Sequence, residues 1–255
     1  FEDVTDALLS LPSGRNLAVT LKPEGGFVAR SKDILPKGQF LASAVLNDQQ
    51  QRRQEIYRAF LQRSRTDPLH GRNVLLAWAK PIDMHFRLSS DARTVGSALL
   101  VVPLQLERPA AGKRITIPGP FLPYQRILGG AATRPTLESS EMAEMHLRFQ
   151  LPPEVLPFKV ERARLSARID APSRRVTIAG RDGDKLVTVH EVDSPLDAFR
   201  VEITQEQLLH LDEDGGLHLN VNLSGGPAVP IGQLTEKWTI EYLELEVSGE
   251  VNGRR

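Results

Sequence analysis

The residues whose types and spacing come closest to a binding surface are His218, Asn220, Asn222 and Ser224. Side chains two apart on a strand share a face. The stretch therefore predicts a row of neutral donors and acceptors toward water, with Leu217, Leu219, Val221 and Leu223 behind it. Such a row suits a hydroxyl-rich ligand, because sugar hydroxyls need paired donors and acceptors while sugar C–H faces stack on aromatic rings. The rings are the missing part: Trp78 and Trp238 both sit in apolar patterns that predict burial. The plainer reading of the same four residues is an ordinary wet strand face.

A second chemical candidate is the arginine set of Asn47 to Arg65, the clearest helical stretch of the chain. Asn47 and Gln50 have the spacing of a capping box. Ile56, Tyr57, Phe60 and Leu61 form one apolar stripe, and Arg52, Arg53, Arg58 and Arg63 project elsewhere. Those arginines suit phosphate or an anionic polymer. Packed on a sheet they would instead lie in water or pair with Glu55. Nucleic acid is not expected as a partner, since base stacking wants exposed aromatics among the basic residues and here the aromatics share the buried stripe.

Other reactive groups give less. No two of the six histidines stand at metal-ligand spacing, and His85 with Asp83 reads as two polar residues on a wet strand face. Asp212-Glu213-Asp214-Gly215-Gly216 lacks the alternating ligands of a calcium loop and reads as a hairpin turn. Glu138, Glu141 and Glu144 are spaced as a helical turn. There is no cysteine, no nucleophile elbow and no phosphate-binding glycine loop. No metal and no cofactor are expected. A glycosidase needs two carboxylates across a cleft, and linear order does not select such a pair.

The elements that position these groups are short alternating segments. Met145 to Leu151, Ala163 to Ile169, Val176 to Ile178, Phe199 to Ile203 and Leu217 to Leu223 each alternate apolar with polar, with turn residues between them. Trp238 to Val251 alternates twice, in opposite phases, so a bulge is expected near Tyr242–Leu243. Its glutamates on the far side mark one wet face, as antiparallel sheets have. The pattern is broadly similar to the last strands of jelly-roll carbohydrate-binding modules and is common to many sandwiches. Short helices are expected from Phe1 to Leu11 and from Thr204 to Leu211, the latter capped by Thr204.

The fold class is therefore mainly β: an antiparallel, jelly-roll-like β-sandwich in the C-terminal half, and a strand-rich N-terminal half with one or two α-helices. The chain of 255 residues holds 32 basic and 32 acidic residues, but residues 1–135 carry a net +8 and the remainder a net −8. With the small, turn-rich stretch from Gly129 to Thr136 this places the expected boundary near residue 135, giving domains 1–135 and 136–255. No segment approaches the ~20 apolar residues of a membrane span. Any membrane contact is expected only through a segment outside this chain.

The leading expectation is a non-enzymatic β-sandwich binding or scaffolding domain of a larger, extracytoplasmic or membrane-anchored protein, with a protein partner or neighbouring domains of its parent chain. One alternative is a carbohydrate-binding module using the 218–224 face. The other is a carbohydrate-active hydrolase with an unrecognised carboxylate pair.

Overall fold

The computed structural model describes residues 4–36, 38–43, 45–61, 72–80, 96–128, 131–133, 138–139, 143–183, 185–225 and 237–253. The chain divides into two compact units, Phe1–Leu106 and Glu107–Arg255.

In the first unit the strands are β1 (Thr5–Ser10), β2 (Asn16–Ala18), β3 (Thr20–Leu21), β4 (Phe27–Val28), β5 (Asn73–Ala79) and β6 (Ala98–Leu104), with helix α1 (Asp48–Leu61) between β4 and β5. Four of them form a sheet in the order β2-β1-β5-β6, and Leu8, Tyr57, Leu76 and Trp78 lie in its core. The segment expected as a helix from Phe1 to Leu11 is the strand β1. Asp6 has φ +49°, and the register shifts between Thr5 and Leu8. That irregularity buries both Ala7 and Leu8, which reproduces in a strand the adjacent apolar positions of a helix. Helix α1 starts as its sequence predicts. The Gln50 amide donates to Asn47 Oδ1 at 2.9 Å, and the Asn47 amide donates to Gln50 Oε1 at 3.3 Å. Of its apolar stripe, Tyr57 is buried while Ile56 is exposed. Pro103, which cannot donate to a ladder, stands on the edge strand β6.

The second unit contains β7 (Arg114–Ile117), β8 (Tyr124–Leu128), β9 (Ala131–Thr133), β10 (Glu138–Ser139), β11 (Ala143–Gln150), β12 (Phe158–Asp170), β13 (Arg174–Asp182), β14 (Lys185–Asp193), β15 (Ala198–Ile203), β16 (Gly216–Gly225) and β17 (Trp238–Val251). These strands form two antiparallel sheets, one in the order β14-β13-β16-β11-β8-β9 and the other β10-β17-β12-β15 with β7 also on β17. Their inner faces share one core: Met145, Phe149, Ile178 and Val221 from the first, Leu165, Ile169, Leu245 and Val247 from the second. Each such side chain contributes about 1.5–3 kcal/mol by leaving water.

Residues 107–135, assigned by sequence to the first half, supply β7 and β8 to this sandwich. Ala131–Thr133, within the stretch read as a linker, pairs with β8 as a strand. Glu138 and Glu144 lie on strands β10 and β11, not on a helical turn. The helix expected from Thr204 to Leu211 is reduced to a single 3₁₀ turn, Glu206–Leu208, entered from Gln205. Leu208 is buried in the core against Gly180.

β12 and β17 are the longest strands and pair along nearly their whole length. Arg168 opposes Tyr242 and Ile169 opposes Ile240, so Glu241 is the extra residue of a bulge, one position from where the phase change places it. A second bulge inserts Glu161 into β12, between Val160↔Gly249 and Arg162↔Ser248. A Cβ on Gly249 would collide with the Lys159 carbonyl oxygen. Gly249→Ala should therefore destabilise the sandwich by about 1–3 kcal/mol or more. Gly253→Ala, whose added Cβ would stand 4.0 Å from Ala111 Cβ, should change stability by less than about 0.5 kcal/mol. Urea denaturation of both variants checks the difference.

Candidate functional site

β16 lies inside the six-stranded sheet, between β11 and β13. Its apolar residues Leu217, Leu219, Val221 and Leu223 are buried, and His218, Asn220, Asn222 and Ser224 face outward. The register aligns polar neighbours on each side. On β11, Glu144 opposes Asn222, His146 opposes Asn220 and Arg148 opposes His218. On β13, Arg175 opposes Ser224 and Thr177 opposes Asn222. The four residues picked out by spacing thus form the middle row of a wider polar face. Asn222 and Glu144 are exposed, while His218, Asn220 and Ser224 are half-buried. Asn220 Nδ2 donates to Glu144 Oε1 at 3.2 Å.

One end of this face is held by Asp212, in the turn that leads into β16. Arg148 grips its carboxylate bidentately, Nε to Oδ2 at 2.6 Å and Nη2 to Oδ1 at 2.9 Å. The Gly216 and Asp214 amides donate to Oδ1 at 2.7 and 3.0 Å. His218 Nε2 stands 2.8 Å from Oδ2. Residue 216 must be glycine for this, since a Cβ there would overlap the Arg148 guanidinium and the Asp212 carboxylate. The Arg148 hydrogen bonds, then the Gly216 amide and His218, hold the Asp212 carboxyl far below the usual carboxylate range despite partial burial. His218 Nδ1 in turn lies 2.9 Å from His146 Nε2. Burial, then the neighbouring His218 and Arg181, lower the His146 pKa, and Glu144 opposes them.

Sequence spacing held no sign of this chain of contacts. His146 and His218 are 72 residues apart and meet diagonally across two strands. The Asp212 turn, read as a hairpin turn or a poor calcium loop, is a carboxylate hub satisfied by an arginine, a histidine and two amides. Among the described residues no group of three or more His, Asp or Glu is arranged to hold a metal ion. His190 stacks on Phe199 with ring centroids 5.6 Å apart, and His210 is exposed. His70, His85 and Asp83 lie outside the described residues.

The outer face of the other sheet is different in kind. Arg164 pairs with Glu202 and with Glu246, Arg168 with Glu241, and Arg114 with Glu161. Glu241 and Glu246 of β17 thus meet arginines of β12 rather than bare solvent. The turn Gly119–Phe121 packs on β17, with Gly119 close against Glu244.

The arginine helix separates into two sets. Arg52 and Arg58 are exposed, and Arg63 lies outside the described residues. Arg53 pairs with Asp6 rather than with Glu55, and its guanidinium stands 5.3 Å from the Trp78 ring centre. The Tyr57 hydroxyl donates to the Asp6 carbonyl at 2.7 Å. Burial, reinforced by the Asp6 charge, pushes the Tyr57 phenol well above its usual range. Arg53 and Tyr57 together clamp the irregular turn of β1.

No protein-family model matches the chain, and no curated protein matches it. Among solved structures, the chain is similar to a family 29 carbohydrate-binding module at 14% identity. That match covers 50% of this chain and 88% of the module, with a TM-score of 0.22. A second structure from the same family, of a mutant module, matches at 13% identity over 50% of this chain and 85% of its own, with a TM-score of 0.22. The structure of infectious bursal disease virus, Gx strain, matches at 8% identity over 97% of this chain and 68% of its own, with a TM-score of 0.27.

Two outcomes follow from these geometries. Asp212 has a depressed folded pKa, so its contribution is complete above the unfolded carboxylate value of about 3.9 and is lost as pH falls through the folded value. Asp212→Asn should cost on the order of 2 kcal/mol at pH 7. The difference from wild type should shrink as urea melts are taken from about pH 5 toward pH 2. In the first unit, Arg53→Ala should destabilise measurably, by roughly 1–3 kcal/mol. The same change at Arg52 should stay within about 0.5 kcal/mol, read by thermal denaturation.

Proposed function

We propose that the chain is a non-enzymatic binding protein and that the outer face of the six-stranded sheet is its contact surface. The carrying observation is the two-strand polar array of β11 and β16, whose outward side chains form one continuous surface while the opposite sheet pairs its own charges. Two features make the surface selective. Asp212, Arg148 and His218 lock one end in place, and Asn222, Thr177 and Ser224 offer uncharged donors and acceptors along the other.

That chemistry favours a hydroxyl-rich ligand, a saccharide, over a protein partner. Protein interfaces are anchored by large aromatic or arginine side chains in desolvated pockets. On this face Arg148 is committed to Asp212, and Arg175 to Asp193 through Nε–Oδ1 at 2.8 Å. The same two pairs leave Asp212 and Asp193 unsuited as the acid of a hydrolytic site. A glycosidase acid needs a raised pKa, and Arg148 and Arg175 lower the pKa of Asp212 and Asp193.

Glycan-array binding, followed by affinity electrophoresis of variants, tests the reading. Asn222→Ala and Thr177→Ala should each weaken binding about 2–10-fold, the loss of one neutral hydrogen bond. Ser166→Ala, on the outer face of the other sheet, should leave it unchanged. Equal binding by all three variants would remove the site, and no retention of any saccharide would remove the ligand class.

A further inference from the structure

Two imidazoles meet nitrogen to nitrogen on this face, and the number of protons they carry decides what the pair presents to a ligand. His146 Nε2 and His218 Nδ1 are 2.9 Å apart, and the ring centroids are 5.0 Å apart. The second distance exceeds the first by nearly two ring radii, so the two nitrogens point at each other. This is the geometry of a shared hydrogen. A metal ion bound to both rings would sit off that line and would need the rings turned toward it.

The remaining contacts fix where the hydrogens are. The Asp212 carboxylate is an anion and only accepts, so His218 Nε2 carries a hydrogen and donates to it at 2.8 Å. Neutral His218 then has a bare Nδ1, which accepts from His146 Nε2–H. Neutral His146 is left with a bare Nδ1, and no described residue bonds to it. The first added proton has one unengaged nitrogen to occupy, His146 Nδ1. A second would place hydrogens on both facing nitrogens and break the contact.

We propose that His146 and His218 form a one-proton switch, through which this sheet face presents an acceptor at His146 Nδ1 when the pair is neutral and a donor when it is singly protonated. As a regulator of ligand binding, the switch rests on the binding function proposed above. The charged groups around it are Glu144 and Arg148 on β11, Asp212 before β16 and Arg181 on β13, with Ile127 of β8 opposite His146 and Arg126 donating to the Glu144 carbonyl. Glu144 favours uptake and Arg181 opposes it, while the Asp212 charge is already matched by Arg148. Burial and Arg181 place the transition below the ordinary histidine value of about 6.5.

The test is a pH titration of the ¹⁵N-labelled chain, following the imidazole nitrogens by NMR from pH 8 to pH 4. Both rings should start as the Nε2–H tautomer. His146 Nδ1 should gain the first proton in a single step. A His146 Nδ1–H tautomer at pH 8, or two independent ordinary titrations, would overturn the switch. In parallel, affinity electrophoresis in neutral β-glucan and in polygalacturonate at pH 7.5 and 5.0 reads its effect on binding. At least one affinity should change threefold or more in the wild type and stay flat in His146→Gln. A normal proton step with flat affinities would overturn the regulation and leave the binding function standing. Retention by neither polymer at either pH would count against that function on these probes, and the NMR step alone would then decide the switch.

Discussion

The register between β12 and β17 is the constraint on which the sandwich depends. Side chains on a strand alternate between faces, so one residue out of step would carry every later apolar side chain into water. Both strands contain such a misstep, and each is absorbed by a bulge of one residue, Glu161 on β12 and Glu241 on β17. Both bulged residues are glutamates, both are exposed, and each pairs with an arginine, Arg114 for Glu161 and Arg168 for Glu241. The extra residue is thus placed where its own side chain gains from facing outward. Past the second bulge Leu243, Leu245, Val247 and Val251 return to the core, opposite the inner residues of the six-stranded sheet.

Pairing charges across one outer face has a consequence for the other. Cross-strand opposite charges contribute only a few tenths of a kcal/mol to about 1 kcal/mol each, yet they leave little free hydrogen-bonding capacity for a partner. The β16 face is built from shorter, neutral side chains whose bonding is incomplete at Asn222. Charged groups flank the row, with Glu144 beside Asn222 and the Arg175–Asp193 pair beside Ser224, and at the Asp212 end a carboxylate with five donors has its acceptor capacity engaged inside the protein.

How far the sequence carried these conclusions depends on the range of the interaction. Alternation over seven or more residues located β11, β12, β16 and β17 and the burial of Trp238. The opposite phases on either side of Tyr242 located a bulge to within a residue. These are local signals, carried by neighbours along the chain. β1 carries the spacing of a helix because its irregularity at Asp6 places Ala7 and Leu8 side by side in the core. The row His218–Ser224 was visible as a face, but not the strands beside it. With strand order unknown, nothing joined His146 to His218 or Arg148 to Asp212. Spacing alone does not set Arg53 apart from its helix neighbours for the same reason, since its partner is 47 positions away.

The Asp212 hub fixes several side chains of this surface through one carboxylate. A flexible arginine held at one point retains most of its freedom. Held bidentately by a carboxylate that is itself fixed by two backbone amides, it does not. Arg148 then orders Gln150, whose amide donates to the Asp214 carbonyl at 2.8 Å and so closes the turn back on β11. His218 is oriented by the same carboxylate, and His146 by His218. The entropy of arranging these side chains is therefore lost on folding, so at the contact surface proposed above they would not have to be ordered again on binding. Gly216 is the permissive residue in this arrangement. Any side chain there would stand where the guanidinium and the carboxylate meet, and the pairing of Arg148 with Asp212 depends on that space being left empty.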